Sequence, residues 1–379
     1  MPAMSAFDKV VGDAVRDVPA DGHERATHDW IVREVARLMR LPCAGIPARA
    51  TRQAGAFHVP DDTLTTEQAA LLGIADAGYL LGGVVPHAFM ATKVISHPLV
   101  GEDAARPSGW NPLAAQALAR ATLPGYAVFS EADARRAHAR LREGGLVRFK
   151  LATGVGGRGQ WLLGDAATLE CVLAELPRGY LAEHGAVLEQ NVGDAITYSV
   201  GELHCAGIDI AYHGTQSAVK DQAGRDVYGG SDLWIIRGTL GDLAESGLNA
   251  EQKSAVERAR LYDGFIADAY PGMQVSRRNY DILVSRDGTH AFCGVLEQSW
   301  RIGGATPAEL AAVALFQRDP GLHRAYACTR EIYDEAGPLP AGADVYYRSA
   351  APANGPRLKY RLSSPLPDGS QAVQHPDPG

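Results

Sequence analysis

Two spacings of apolar residues run through the chain. Between His23 and Met39, residues Trp30, Ile31, Val35, Leu38 and Met39 recur every three to four positions, the stripe of an amphipathic helix. Ser130 opens a second helix, with a capping hydroxyl, acids in its first turn and a stop at Gly144-Gly145. Asp165 opens a third, whose stripe of Leu169, Val172, Leu173 and Leu176 ends at Pro177. The stretches 111–123, 251–270, 309–316 and 323–335 read as further helices. Short apolar or alternating runs predict strands at 79–85, 125–130, 186–190, 233–238, 280–285 and 292–300. ITYSVGELHCAGIDIAYHGTQ reads as two strands turning at Gly201-Glu202, and 218–232 as a glycine- and aspartate-rich loop. DVYYRS and RLKYRLS suggest a closing hairpin. The first 20 residues carry weak pattern and read as a loose or helical tail, and the segment after Ser364 reads as disordered.

The stretch from Leu146 to Gly164 stands out. An apolar strand carrying Lys150 meets the turn Gly154-Val155-Gly156-Gly157-Arg158-Gly159, and a second apolar run, Trp161–Leu163, leaves it. This is a hairpin whose tip exposes backbone N–H groups, with Lys150 and Arg158 adding positive charge: a cradle for a polyanion. Gly154, Gly156 and Gly159 match the spacing of a dinucleotide fingerprint, but a strand follows where that fingerprint requires a helix. A protein-kinase glycine loop is excluded too, because there the lysine follows the glycines.

Composition narrows the classes. With 379 residues, 46% apolar and 21% charged, the chain fits a globular protein of two or three domains. A net charge of −8 without a basic block argues against nucleic acid as the partner. No window is long and apolar enough for a membrane span. Five cysteines without a Cys-x-x-Cys pair argue for buried thiols in a reducing compartment, and the expected location is the cytoplasm. His23 and His28 lie five apart, the wrong spacing for two ligands on one helix face, so a solvated or capping role is expected.

Two further constellations carry chemistry. If residues 287–291 connect the two strands, Asp281 lies directly opposite Glu297, and Ser299 and Arg301 share the face of Glu297. Leu296, Trp300 and Ile302 then face the core. Opposed carboxylates repel unless a cation lies between them, and such oxygens suit Mg²⁺. The third stretch, Val187-Leu188-Glu189-Gln190-Asn191-Val192, is an apolar strand running into polar residues with free backbone groups, able to meet an adenine edge.

In this order the three stretches resemble the ATP-grasp superfamily of carboxylate–amine ligases over roughly residues 85–318. The chain is also similar to the bacterial DUF3182 proteins, through its GGVVPH, HPLV and GGRGQ stretches. The resemblance implies an ATP-grasp fold of α/β and α+β parts behind an N-terminal α/β domain. The expected divisions are a tail (1–20), an N-terminal α/β domain (21–120), a central subdomain with the hairpin (121–187), a C-terminal subdomain with the metal site (188–364) and a disordered tail (365–379).

The same resemblance implies ATP and Mg²⁺. Lys93, Lys150, Gly154, Gly156, Gly157, Arg158, Gly159, Gln160, Glu189, Gln190, Asn191, Val192, Thr197 and Lys220 would hold the nucleotide. Asp281, Glu297 and Ser299 would hold metal, with Arg301 and Lys150 catalytic. Ser299 replaces the family's usual Asn, and the usual ribose-binding Glu is missing, leaving Asp194 or Thr197. The implied activity is ligation of a small-molecule carboxylate, activated as an acylphosphate, to an amine or similar nucleophile. A kinase of the same fold and an ATP-binding protein without turnover are the alternatives. The partners implied are small molecules, and a homodimer is left open.

Overall fold

The computed structural model describes residues 7–19, 22–154, 159–285, 292–334, 337–350 and 355–367. Its first part holds β1 (Lys9–Asp13), α1 (His23–Met39), β2 (Ala56–Pro60), β3 (Leu64–Thr65), α2 (Thr66–Leu72) and β4 (Gly83–Val85). β1 and β2 pair in parallel, and Ile31, Val32 and Val35 of α1 pack in one core with Val10, Phe57 and Val59. The first residues therefore include a buried strand where a loose tail was expected. His28 is buried and hydrogen-bonded to the Val59 carbonyl at 2.7 Å, so it is neither solvated nor a cap. Of the strand expected at 79–85, only the last three residues form one.

A connector with short 3₁₀ turns at 88–91 and 93–96 leads through α3 (Pro112–Leu118) to a four-stranded antiparallel sheet. Its elements are β5 (Gly125–Val128), α4 (Glu131–Leu141), β6 (Val147–Leu151), β7 (Gln160–Leu163), α5 (Ala166–Glu175), α6 (Tyr180–His184) and β8 (Ala186–Gln190), in strand order β5-β8-β6-β7. Ser130 and Asp165 cap α4 and α5, as their sequence implies. β6 and β7 form the expected hairpin, with Lys150 opposite Gln160.

The rest is built on an eight-stranded antiparallel sheet. Its chain order is β9 (Ala195–Cys205), β10 (Ile208–Lys220), β11 (Asp226–Arg237), α7 (Leu240–Ala244), α8 (Ala250–Ala269), β12 (Gln274–Val275), β13 (Arg277–Ser285), β14 (Cys293–Ser299), α9 (Thr306–Arg318), β15 (Arg324–Ile332), β16 (Asp344–Arg348) and β17 (Leu358–Pro365). The spatial order is β14-β13-β9-β10-β11-β15-β17-β16, while β12 joins β3 and β4 in a small sheet. One sheet face packs on α9 and, through it, α1. The other packs on α7 and α8. Among the described residues no helix is long and apolar enough to cross a membrane.

Several expectations change here. The turn expected at Gly201-Glu202 lies at Ala206-Gly207 instead. Gly201 lies mid-strand, and the position needs glycine because a Cβ there would stand 2.3 Å from the Tyr212 hydroxyl. Most of the expected loop 218–232 belongs to β10 and β11. Of the segment 323–335, expected as a helix, Arg324–Ile332 is strand β15: Ala325, Ala327, Thr329 and Glu331 alternate onto the buried face. Cys43 and Cys171 are exposed, whereas Cys205 and Cys328 are buried. β17 runs on to Pro365, and the tail 368–379 lies outside the described residues.

Candidate active site

β13 and β14 place Asp281 directly opposite Glu297, the pairing the sequence implies. The route differs: the register shifts between Asp281 and Ile282, so Val284 faces Cys293 and Val295 faces Ile282. This bulge puts Val295 into the core, while Leu296 stays half-buried. Beyond it the alternation holds: Gln298 and Trp300 are buried, and Glu297, Ser299 and Arg301 lie less deeply.

Two lysines reach this region from different elements. Lys93, buried in the connector, puts its ammonium 2.8 Å from Glu297 Oε2 and donates to the Gly154 carbonyl at 2.6 Å. It thus ties β14 to the first glycine of the hairpin. Lys150, buried on β6, lies 2.5 Å from Glu189 Oε1 at the end of β8. His97 Nε2 stands 3.3 Å from the other Glu189 oxygen. Gln216 on β10 donates to Asp281 Oδ1 at 2.7 Å.

The charges perturb one another strongly. Burial, reinforced by the negative charge of Glu297, pushes the Asp281 carboxyl up to about 7. Burial also works to raise Glu297, but the adjacent Lys93 ammonium outweighs it and holds the carboxyl below its usual range. Glu189 is buried too, yet Lys150 and His97 together bring it down to about 2. Burial holds the Arg301 guanidinium below its usual value, against the pull of Asp62 at 3.9 Å.

The remaining expected residues fall into groups. Gly159 accepts from the Leu151 amide at 2.9 Å, and Gln160 accepts from Arg148 at 3.3 Å, so both belong to the hairpin. Gly156, Gly157 and Arg158 lie outside the described residues. The linker backbone is partly engaged: Gln190 N donates to Pro124 O at 2.8 Å and Asn191 N to Leu146 O at 2.9 Å. The N–H of Val192 has no partner among the described residues. Thr197 lies on β9 two residues before Ser199, which pairs with Asp281. Ser299 lies opposite Asn279, whose amide donates to Ser199 Oγ at 2.6 Å. Lys220 stands apart on the β10–β11 hairpin, 63% exposed and 2.8 Å from Asp226.

Beneath Arg301 lies a buried polar network. Arg277 binds both Glu309 oxygens at 2.8 Å and donates to the Arg301 carbonyl. Tyr212 donates to Glu309 at 2.6 Å.

The donor set fits Mg²⁺ carried with a polyphosphate. Asp281 and Glu297 are hard oxygen ligands whose mutual repulsion a divalent ion would relieve. Among the described residues no group of three or more His, Cys, Asp or Glu is placed to enclose a metal. A divalent ion there would complete its shell with the Ser299 hydroxyl, water or phosphate oxygens.

The profile of the family described as "Protein of unknown function (DUF3182)" matches residues 10–361. The chain belongs to that family. No curated protein sequence matches it. Among solved structures it is similar to carboxyaminoimidazole ribonucleotide synthase from Aspergillus clavatus complexed with ATP. That likeness has 12% identity and a TM-score of 0.51, and covers 95% of this chain and 94% of the other. It is also similar to the biotin carboxylase domain of the Hydrogenobacter thermophilus 2-oxoglutarate carboxylase, in complex with MgADP, ADP and bicarbonate. Here identity is 14%, the TM-score 0.51, and coverage 95% of this chain and 87% of the other. The family member described here thus has the ATP-grasp fold.

Two residues of the site were not legible in the sequence. Gln216 reaches Asp281 only because β10 lies one strand from β13. His97 opens the HPLV stretch, whose spacing offers no chemical reason for the histidine.

Proposed function

We propose that this protein is an ATP- and Mg²⁺-dependent ligase that activates a small-molecule carboxylate as an acylphosphate for attack by an amine. The observation that carries this reading is one cluster. The glycine hairpin, Lys93 and the carboxylate pair of β13 and β14 meet through contacts of 2.6 Å and 2.8 Å. Phosphoryl transfer needs chiefly positioning and charge neutralisation, which such a cluster supplies.

In this reading the hairpin and the 188–192 linker take the nucleotide, and Lys93 and Lys150 hold its phosphate oxygens. Asp281 and Glu297, with Ser299 beside them, would hold Mg²⁺, which supplies charge neutralisation at the phosphates when bound. Lys93 exchanges its contact with Glu297 for a phosphate oxygen. Arg301 faces the substrate carboxylate or the transferring group. The substrate carboxylate attacks the γ-phosphorus, ADP leaves, and the amine then attacks the acyl carbon and expels phosphate. The central sheet with its hairpin (121–187) and the large sheet (188–364) act as two jaws on the nucleotide.

The test is ADP release from ATP and Mg²⁺ across a panel of carboxylic acids, with hydroxylamine as nucleophile. ADP together with a hydroxamate supports the reading. ADP with a stable phosphorylated product assigns a kinase instead. Failure of the protein to bind MgATP in calorimetry overturns the reading altogether.

A further inference from the structure

Glu189 is fully enclosed, and each of its two oxygens has a different cationic or N–H partner: Lys150 on Oε1 at 2.5 Å and His97 on Oε2 at 3.3 Å. His97 comes from the connector that also carries Lys93, four residues after it. It is 0% exposed. The adjoining backbone is anchored on both sides. The Pro98 carbonyl accepts from Ala127 N on β5 at 2.9 Å, and Ser96 Oγ is 3.1 Å from Tyr262 OH on α8. The ring also packs close against Gly125: a Cβ there would stand 2.7 Å from His97 Nδ1. Strand β5 therefore leaves room for this imidazole and for little else.

We infer that His97 is a positioning residue that aims Lys150 at the nucleotide phosphates by pinning the Glu189 carboxylate. This deepens the proposed function and rests on it. The reasoning is geometric. Lys150 has three N–H donors. Glu189 takes one, leaving the others for phosphate oxygens. A carboxylate held only by Lys150 could rotate and travel with the ammonium, whereas one held at its second oxygen by an anchored imidazole cannot. Since Nδ1 is buried and has no partner among the described residues, the ring's useful contact is the one made by Nε2. Lys93 and His97 lie on one short segment, so the same connector sets both phosphate lysines: one directly, the other through Glu189.

The experiment is a calorimetric comparison of MgATP affinity for the full-length wild type, His97→Ala, His97→Gln, Lys150→Gln and the double variant His97→Ala/Lys150→Gln. Glutamine keeps an N–H donor near the position of Nε2. The expected loss for His97→Ala is about tenfold in Kd, with His97→Gln within about threefold of the wild type. The double variant should bind no more weakly than Lys150→Gln alone, because the effect of His97 passes through that lysine. A merely structural histidine would instead weaken binding additively. If alanine unfolds the site, His97→Leu tests the same point, since it fills the ring's volume without an N–H donor, and the same tenfold loss is expected. Unchanged affinity in His97→Ala, or additive losses in the double variant, overturns the role of His97. A wild type that binds no MgATP overturns the underlying functional reading.

Discussion

Lys93 and Glu297 form a 2.8 Å ion pair, while Asp281, directly opposite Glu297, has no cation within ion-pair distance among the described residues. One carboxylate of the pair is thereby neutralised by the protein, while the other takes a hydrogen bond from the Gln216 amide. The consequence is a site whose negative charge is half compensated before any ligand arrives.

Removing Glu297 or Lys150 should cripple turnover with the fold intact. A pre-organised charge contact to a transferring phosphoryl group is worth roughly 3–4 kcal/mol, or about two to three decades of rate. Glu297→Ala and Lys150→Ala should each slow ADP formation by that factor. Circular dichroism should show native content. Turnover by Glu297→Ala equal to that of the parent would disprove the metal assignment.

Asp281→Asn should make the free protein more stable. The folded-state value of Asp281 is raised from 3.8 to about 7. The group therefore supports folding fully below pH 3.8, and that support is gone once pH has risen through about 7. An asparagine carries no such pH dependence. The gap between variant and parent should open between pH 4 and 8 and reach about 1–3 kcal/mol, allowing for solvent screening in the cleft. Urea denaturation across that range measures it. MgATP should stabilise the parent more than the variant, since the ligand relieves the same repulsion.

Glu189 predicts the opposite slope in acid. Its folded value is lowered from 4.5 to about 2. The contribution is present above pH 4.5 and is lost as pH falls towards 2. Glu189→Gln should therefore destabilise the protein by about 3 kcal/mol at pH 7 and by much less at pH 2.5. A pH-independent difference would show that the carboxylate does not titrate as its contacts imply.

Arg277→Ala should be among the most damaging substitutions outside the ligand contacts. The arginine is 2% exposed and the Glu309 side chain 0%, so the change strands a buried carboxylate. The expected cost is about 3–5 kcal/mol, read from denaturant midpoints. The Arg301 carbonyl also loses its donor. Replacing both partners by apolar residues, Arg277→Met with Glu309→Leu, should recover most of the stability.

Much of the architecture could be read directly from the residues. Helix α4 carries its own cap at Ser130, and α5 its own at Asp165, so neither needs a distant partner to declare its start. The hairpin of β6 and β7 is local, with its apolar runs and glycines within about twenty positions. β15 was misread because Ala, Arg and Glu favour helices in isolation. Its alternation became decisive only when β11 and β17 flanked it and α9 covered its small side chains. β1 was missed because its partner, β2, begins 47 residues later and leaves no local trace.

The candidate site divides in the same way. The sequence by itself determined the hairpin with its lysine, the strand ending at Glu189, and two carboxylates on neighbouring strands, because each is a short-range pattern of residue type and spacing. Only the tertiary structure decided that Lys93 is the cation on Glu297, that Gln216 supports Asp281, and that His97 backs Glu189. Those contacts span 204, 65 and 92 positions of chain. The register shift beside Asp281 belongs with them. Such pairings are set by how sheets, connector and helices pack, and no local periodicity encodes that.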